Sequence, residues 1–320
     1  MSEFRLKQGL DLPVSGAPTQ VIHDATVPKS VAVVGGDYIG LKPKMLVVEG
    51  DTVVRGTPLF CHKDAPNVMF TSPCKGRVRA IMRGARRVLQ SVIIDVDDLE
   101  DLGVDFGKLN KSAFKTDRIK EVLQRSGLWN SFLTRPYSKM PLEDDTPAAI
   151  FVTAMESEPL APDASLVLSG QFDSFVMGVR AISELTQGKV YVCKAINGGV
   201  PDIDDMPRVE NHSFGGPHPS GLAGTHMHFL EAPSSSRTVW SIGYQDVIAI
   251  GQLLATGYIN PSRVISIAGP LAINPRLVRT VSGVSLDELI EGEVTPQTPC
   301  RVISGSILNG RIGEGAFAYL

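Results

Sequence analysis

Histidine, the side chain best suited to metal binding and to proton transfer near neutral pH, is concentrated in one short segment. Three of the six histidines lie in SFGGPHPSGLAGTHMHFLEAP, residues 213–233, together with four glycines and three prolines. His226 and His228 alternate with Met227, so on a β-strand both rings would point to the same side. Together with His212 or His218, they could supply the ligands of a metal ion.

Two other interpretations of this segment stay open. The glycines and prolines could shape a tight, ordered loop whose histidines hydrogen-bond to the backbone. The loop could instead bind a small molecule or a neighbouring protein chain. Against a metal site stands the lack of a carboxylate or cysteine at a diagnostic spacing from the histidines.

The other side chains that could do chemistry form no catalytic pattern. The cysteines are scattered without C-x-x-C spacing, which excludes the usual local iron–sulfur and zinc frameworks and predicts reduced, buried thiols. They are Cys61, Cys74, Cys193 and Cys300. The aspartate pairs are typical of solvated loops, and no G-x-S-x-G or S-x-x-K motif marks a nucleophilic serine.

Composition narrows the classes of partner. The 320 residues suffice for about two domains, with 43% hydrophobic and 20% charged residues, as in a globular protein with real cores. A net charge of −3 argues against nucleic acid or an anionic membrane surface as the main partner. No apolar run approaches the length of a membrane helix, and the charged N-terminus is unlike a signal peptide. We therefore expect a cytoplasmic chain.

The elements that would position a site begin with SVAVVGGDYIG, residues 30–40, which has the outline of a dinucleotide-binding turn. Gly35 and Gly40 fit the first and last glycines of G-x-G-x-x-G. Asp37, however, takes the middle position, where its carboxylate would face the phosphates. Pro43 follows too soon for a helix. The segment therefore predicts an entry strand of a β domain without a nucleotide site.

Short apolar strands separated by turn residues continue after this segment, as in a small β-barrel or sandwich. MLVVEGDTVVRGTPLF (45–60) and FTSPCKGRVRAI (70–81) resemble the two halves of a biotinyl/lipoyl-like domain, which implies a barrel-sandwich hybrid fold. A carrier domain would have a lysine at the tip of the hairpin between them. Here Asn67 and Val68 lie near the tip and Lys63 comes too early, so we expect no covalent cofactor.

The middle of the chain alternates strand-like and helix-like patterns. Three apolar-periodic segments predict helices, which end at Gly127, Gly188 and Gly257. AAIFVTAM (148–155) and KVYVCKAI (189–196) are typical of buried strands. This order predicts a Rossmann-like α/β layer with a parallel sheet. Its strands are followed by ESEP or by Asn-Gly-Gly rather than by a phosphate-binding glycine turn, so no nucleotide signature is visible.

The C-terminal part resembles a soluble-ligand-binding β-grasp domain. IAGPL (267–271) and GVSL (283–286) match its entry turn and its short helix, for which Ser285 is the expected N-cap. The resulting division is an N-terminal segment plus lipoyl-like domain (1–100), a Rossmann-like domain (101–257) and a β-grasp domain (258–320). We expect the C-terminal segment of the usual family member to be absent.

These three domains in this order resemble the A subunit of the sodium-translocating NADH:quinone oxidoreductase, a family related to the C subunit of the Rnf electron-transport complex. The resemblance is most specific at SGLWNSFLTRPYSKMP (126–141), at AMESEPLAPD (154–163) and at GPHPSGLAGTHMHFL (216–230). In Rnf-type relatives the middle domain carries a glycine-rich loop for flavin and NADH. Trp129, Asn130 and Ser131 stand in its place, and the relatives' cysteine clusters are absent too, so the resemblance implies no flavin and no iron–sulfur cluster in this chain.

The resemblance also implies a role. It predicts a peripheral subunit on the inner face of the bacterial inner membrane, in a complex that passes electrons from NADH to ubiquinone and exports sodium ions. Its expected partners are the other subunits, a membrane-embedded one above all. Quinone is the expected ligand, and the candidate contact residues are Gly215, Gly216, Pro217, His218, His226 and His228. The alternatives are a purely structural subunit without a ligand and a metal hydrolase built on the histidine segment.

Overall fold

The fold is known from a computed structural model, which describes residues 2–110, 114–296 and 299–320. The strands are β1 (Ser2–Arg5), β2 (Thr19–Asp24), β3 (Ser30–Val34), β4 (Pro43–Met45), β5 (Thr52–Val53), β6 (Pro58–His62), β7 (Ala65–Thr71), β8 (Lys75–Arg83), β9 (Leu89–Asp98), β10 (Leu133–Arg135), β11 (Ile150–Ala154), β12 (Val190–Ala195), β13 (Val209–Gly215), β14 (Val239–Gly243), β15 (Ser262–Ile267), β16 (Arg276–Val281), β17 (Ile303–Ser304) and β18 (Arg311–Ile312). The α-helices are α1 (Thr116–Ser126), α2 (Ala164–Leu168), α3 (Phe172–Ser183), α4 (Ala223–Leu230), α5 (Tyr244–Thr256) and α6 (Leu286–Leu289).

The first unit is the predicted two-sheet β domain. One sheet has the order β3-β9-β8-β5 and the other the order β4-β6-β7. Their inner faces are apolar, and the stacked rings of Phe60 and Phe70, with centroids 4.5 Å apart, lie in the core. Gly35–Asp37 forms a single 3-10 turn and no helix follows it. Asp37 pairs instead with Arg311, whose Nε lies 2.6 Å from Oδ1.

The middle unit is the predicted α/β layer. Its sheet has the order β1-β13-β12-β11-β14-β10, in which every neighbouring pair is parallel except the antiparallel edge pair β14–β10. The side chains alternate between the two faces, as a pleated strand requires. Ile150 and Val152 join the core formed with α3 and α5, whereas Phe151 packs on the other side with α4.

Two of the three predicted helix ends are confirmed, because Gly127 and Gly257 follow α1 and α5 in the left-handed conformation that favours glycine. The prediction for α3 is wrong at its end, since the helix stops at Ser183 and not at Gly188. Beyond it, the Thr186 hydroxyl donates to the carbonyl of Pro147 and accepts from the N–H of Gly188. The bond to Pro147, 39 residues away, and the bond within residues 186–188 take the place of helical ones.

The C-terminal unit has a three-stranded sheet, β15-β16-β2, the short helix α6 and the hairpin β17–β18. Ser285 caps α6 as predicted, since its hydroxyl accepts from the N–H of Glu288. The N-terminal segment contributes to two sheets outside the β domain. β1 pairs with β13 in parallel, and β2 pairs with β16.

The thiols agree with expectation in three cases. Cys61, Cys74 and Cys193 are free and buried. Cys300 is exposed, contrary to the prediction, because it lies in an irregular stretch of the C-terminal unit and not in a strand. Within the residues described above, no helix is both long and apolar enough to cross a bilayer.

Candidate functional site

The glycine- and histidine-rich segment forms a loop and a helix. β13 ends at Gly215, and α4 begins at Ala223 after the turn between them. The expectation that His226 and His228 point to the same side of a strand is therefore wrong, because residues two apart lie on opposite faces of a helix. His226 is fully buried and His228 is exposed. The carbonyl of Leu222 starts the helix by accepting from the N–H of His226.

The loop, residues 215–221, is held on one side by the N-terminal segment. The N–H of Leu6 donates to the carbonyl of Gly215, and the N–H of Leu10 donates to the carbonyl of His218, each over 2.9 Å. In return, the N–H of His218 donates to Oδ1 of Asp11 over 2.8 Å. Backbone groups that a surface loop would leave to water are thus paired within the protein.

On its other side the loop contacts Ser157, just beyond the end of β11. The N–H of Gly221 donates to Oγ of Ser157 over 2.8 Å. Nδ1 of His218 lies 3.0 Å from both the Ser157 hydroxyl and the Ser157 carbonyl oxygen. A carbonyl only accepts, so Nδ1 carries the proton and donates. Nε2 of His218 is not buried and has no partner among the described residues, which leaves it free to contact a ligand.

His226 lies beneath the loop. Its Nε2 is 2.9 Å from the carbonyl of Ser220, and its ring packs against Phe214 with centroids 4.3 Å apart. Burial lowers the pKa of His226 to about 4, and the hydrogen bond to Ser220 opposes this only in part. The ring is therefore neutral near pH 7 and donates from Nε2, while Nδ1 is buried without a partner. In this arrangement His226 supports the loop and does not face its surface.

The third candidate metal ligand, His212, is separate from this loop. It lies on β13 with Nε2 3.3 Å from Oε2 of Glu210, and burial lowers its pKa. In residues 2–110, 114–296 and 299–320, no three His, Cys, Asp or Glu side chains are grouped so that they could hold a metal ion.

The loop lies at the edge of the sheet where a ligand is expected. Sheet order reverses at β11, which has β12 on one side and β14 on the other, and open α/β sheets bind ligands beyond the carboxyl ends of such strands. Glu156 and Ser157 follow β11 at this place. Burial raises the pKa of Glu156, and the charge of Glu158 adds to the shift, although two backbone N–H groups oppose it.

The six predicted residues therefore do not form one surface. His218 contacts Ser157, Gly215 and Gly216 lie against Ile196 and Leu6, and Pro217 lies against Gly9, whereas His226 lies in the core and His228 is exposed on the opposite face of α4. None of the six lines either of two cavities elsewhere in the fold, of about 390 and 610 Å³. These two cavities adjoin α2, and the larger reaches Gly199 and Val200 beyond β12.

The stretch in which Trp129 replaces glycine is part of the core. Trp129 is fully buried, its Nε1 donates to the carbonyl of Pro141, and its ring meets Trp240 edge-on at 5.2 Å. The Asn130 amide donates to the carbonyl of Met69 in the β domain. These side chains fill the space beside the strands and join the first two units.

Comparison with known proteins matches all three units. The family models that match are the NqrA N-terminal barrel-sandwich hybrid domain over residues 4–97, the NqrA second alpha/beta domain over 114–259 and the NQRA C-terminal domain over 264–314. The A subunit of the Na(+)-translocating NADH-quinone reductase of Shewanella amazonensis is 46% identical over 316 residues. Its homologue from Aliivibrio salmonicida is 49% identical and that from Vibrio parahaemolyticus 48%. Each alignment covers 98% of this chain and 70% of the relative.

The chain belongs to the A-subunit family of the Na(+)-translocating NADH-quinone reductase. The family resemblance drawn from the sequence is confirmed, and so is the fold: a barrel-sandwich hybrid domain followed by the α/β layer and the β-grasp-like unit.

In this member of the A-subunit family, sequence reasoning missed the residues that hold the loop. Ser157 and Asp11 contact His218 from parts of the chain 61 and 207 residues away. Ser157 had one usable signal, because it follows a buried parallel strand directly, where site residues collect. Asp11 had none, since nothing in its local pattern places it beside a histidine so distant in the chain.

Proposed function

We propose that this chain is the A subunit of a respiratory complex that transfers electrons from NADH to ubiquinone and couples the transfer to sodium-ion export. The observation that carries the proposal is the similarity to relatives of that name over 98% of the chain, in all three units. The partners are the other subunits of such a complex, including a membrane-embedded one. The chain sits on the cytoplasmic side of the inner membrane as a peripheral subunit.

Replacement of the A subunit in a host that has the complex tests this role. Membranes that lack their own A subunit and contain this chain should regain sodium-dependent NADH:quinone reductase activity. The chain should also co-purify with the membrane-embedded subunits. A correctly folded chain that neither assembles nor restores activity would exclude the proposed role.

The finer proposal is that the loop at residues 215–221 contacts quinone. Its support is the free Nε2 of His218 at the ligand-binding edge of the sheet. With Nδ1 donating to Ser157, Nε2 of the neutral ring accepts a hydrogen bond from a hydroquinone hydroxyl. A protonated ring would donate to a quinone carbonyl instead. His226, also named from the sequence, acts here by supporting the loop.

The structural alternative has an observation of its own. The loop is tied to Leu6, Leu10 and Asp11 on one side and to Ser157 on the other, as expected of an element that organises the fold. Titration of the chain with a soluble quinone analogue separates the two hypotheses. H218Q should weaken binding, whereas H228Q, on the opposite face of α4, should not. No binding by the wild-type chain would favour the structural alternative, and equal binding by the wild-type chain and both variants would place the quinone away from the loop.

A further inference from the structure

The β8–β9 hairpin of the first unit ends in a basic tip. Residues 82–88 read MRGARRV and contain three arginines and no acidic residue. All three arginines are exposed, as are Met82 and Val88, whose exposed fractions are 38% and 63%. Cationic and apolar side chains are thus combined at one small projection.

The tip extends beyond the rest of its sheet. The last residue of β3 that pairs with β9 is Val34, opposite Ser91, whereas β8 and β9 continue to pair up to Arg83 and Leu89. On the other side, β5 pairs only with Arg77 and Gly76, far from the tip. The Gly35 turn packs against Leu89, so the part of the hairpin that projects is the turn from Arg83 to Val88, which can approach a flat surface.

The charges at the tip are not neutralised by the protein. Among the residues that the structure describes, no carboxylate lies within ion-pairing distance of Arg83, Arg86 or Arg87, and Arg83 donates only to the carbonyl of Arg87. Two other basic residues of β8 are paired, Lys75 with Asp101 and Arg79 with Asp95, whereas exposed Arg77, further from the tip, has no ion pair among the described residues. The three guanidinium groups thus remain available for an external anion.

The backbone at the tip is strained. Arg86 and Arg87 have φ values of 54° and 60°, in the left-handed region where glycine or asparagine is preferred. Two arginines in succession there cost conformational free energy that Asn-Gly would avoid. Strain of this kind at an exposed site is a reason to look for a function of the side chains.

We propose that the β8–β9 tip binds the anionic lipid headgroups of a membrane surface. Arginine donates to phosphate with two parallel N–H groups, and basic residues near an anionic bilayer attract it electrostatically. Met82 and Val88 flank the arginines and contact the interface between headgroups and acyl chains. This proposal rests on the proposed location of the chain at a membrane. It adds which surface of the protein contacts the membrane and which class of lipid that surface binds.

Co-sedimentation of the chain with lipid vesicles tests the proposal without quinone or other subunits. A negative result would therefore leave the proposed role in the complex, which is tested by replacement of the A subunit, unaffected. Vesicles of phosphatidylcholine with phosphatidylglycerol should bind the chain, and pure phosphatidylcholine vesicles should not. Each arginine contributes roughly fivefold to partitioning, so R83Q/R86Q/R87Q should lose on the order of a hundredfold. High salt should also weaken the binding of the wild-type chain to the anionic vesicles, because salt screens the charges of the arginines.

The control is K7Q/K63Q/K108Q, which removes the same charge from three exposed lysines elsewhere. It should retain most of the binding, and both variants should keep the wild-type melting temperature, because the substituted side chains are exposed. M82S/V88S should reduce binding by a smaller factor. Wild-type binding that does not depend on anionic lipid, or an equal loss in the control, would overturn the proposal. The proposal would also be overturned if the tip did not bind vesicles and instead crosslinked to an acidic protein.

Discussion

Two glycine-rich turns, residues 35–40 in the β domain and the loop at 215–221 in the α/β layer, look alike in sequence but are held differently. In both, a glycine allows protein backbones to approach: a Cβ on Gly35 would lie 2.6 Å from the carbonyl oxygen of Leu89, and one on Gly221 would lie 2.5 Å from the nitrogen of Ser157. The glycines therefore make room for the chain itself. A glycine-rich turn indicates close approach, and what approaches must be learned from the structure.

The difference lies in what surrounds each turn. The loop at 215–221 lies above the buried ring of His226 and is bonded to two distant segments. The turn at 35–40 is held by a partly exposed ion pair, Asp37 with Arg311, and by the ring of Tyr38, which meets Phe70 edge-on at 4.7 Å, whereas Gly36 has only the Phe317 ring near it. We therefore expect the loop to be sensitive to a small change at Gly221, and the turn to tolerate one at Gly36.

The largest difference in stability should appear when one glycine of each turn is replaced by alanine. G221A places a Cβ against the backbone of Glu156 and Ser157, which cannot move without disturbing β11, so we expect a loss of about 4 kcal/mol in the free energy of unfolding. In G36A the nearest atom is on the Phe317 ring at 3.4 Å, and the change should stay below about 1 kcal/mol. Urea unfolding of both variants measures the contrast. Similar losses would show that the two turns are equally constrained.

The next effect is the dependence of stability on pH through His226. Burial holds its pKa at about 4, whereas the unfolded chain has the ordinary value near 6.5, so between these values the unfolded state binds more protons. Stability conferred by the neutral ring is complete above pH 6.5. It falls as the pH drops towards 4, by about 3 kcal/mol in total.

Unfolding curves at pH 7 and pH 4.5 check this prediction in matched variants. H226Q removes the titrating group and should flatten the pH dependence, while H228Q, exposed on the same helix, should retain it. A wild-type slope that persists in H226Q would assign the effect to other groups, of which His212 is the first to test, because burial also lowers its pKa.

Local signals explain which parts of the fold could be predicted from sequence. α1 and α5 have apolar periodicity and end before Gly127 and Gly257, and Ser285 precedes α6, so each helix is encoded by neighbouring residues. The alternation of His226 and His228 is equally local, but it misled, because the packing of Met227 and His226 beneath the loop selects a helix. An alternation that extends over only three residues is too short to distinguish a strand from a helix.

The candidate site depends on pairings that no local pattern records. β1 joins β13 across about two hundred residues, and this pairing brings Leu6, Leu10 and Asp11 to the loop. The sequence named Gly215, Gly216, Pro217 and His218 of the loop together with His226 and His228, and as a quinone site this stays a prediction. It could not separate His218 from His226 and His228, since their exposure is set by the helix and by the segment that covers it.

The smallest effect should come from the ion pair that anchors the turn at 35–40. D37N removes the carboxylate charge but leaves Arg311 its bonds to the carbonyls of Phe317 and Tyr319, so the guanidinium is not stranded. The carboxylate is 41% exposed and screened by water, and pairs of this kind contribute under about 1 kcal/mol. The difference between D37N and wild type in urea unfolding should shrink further at high salt. A loss as large as that of G221A, unchanged by salt, would show that the turn is as rigidly held as the loop and would remove the contrast between them.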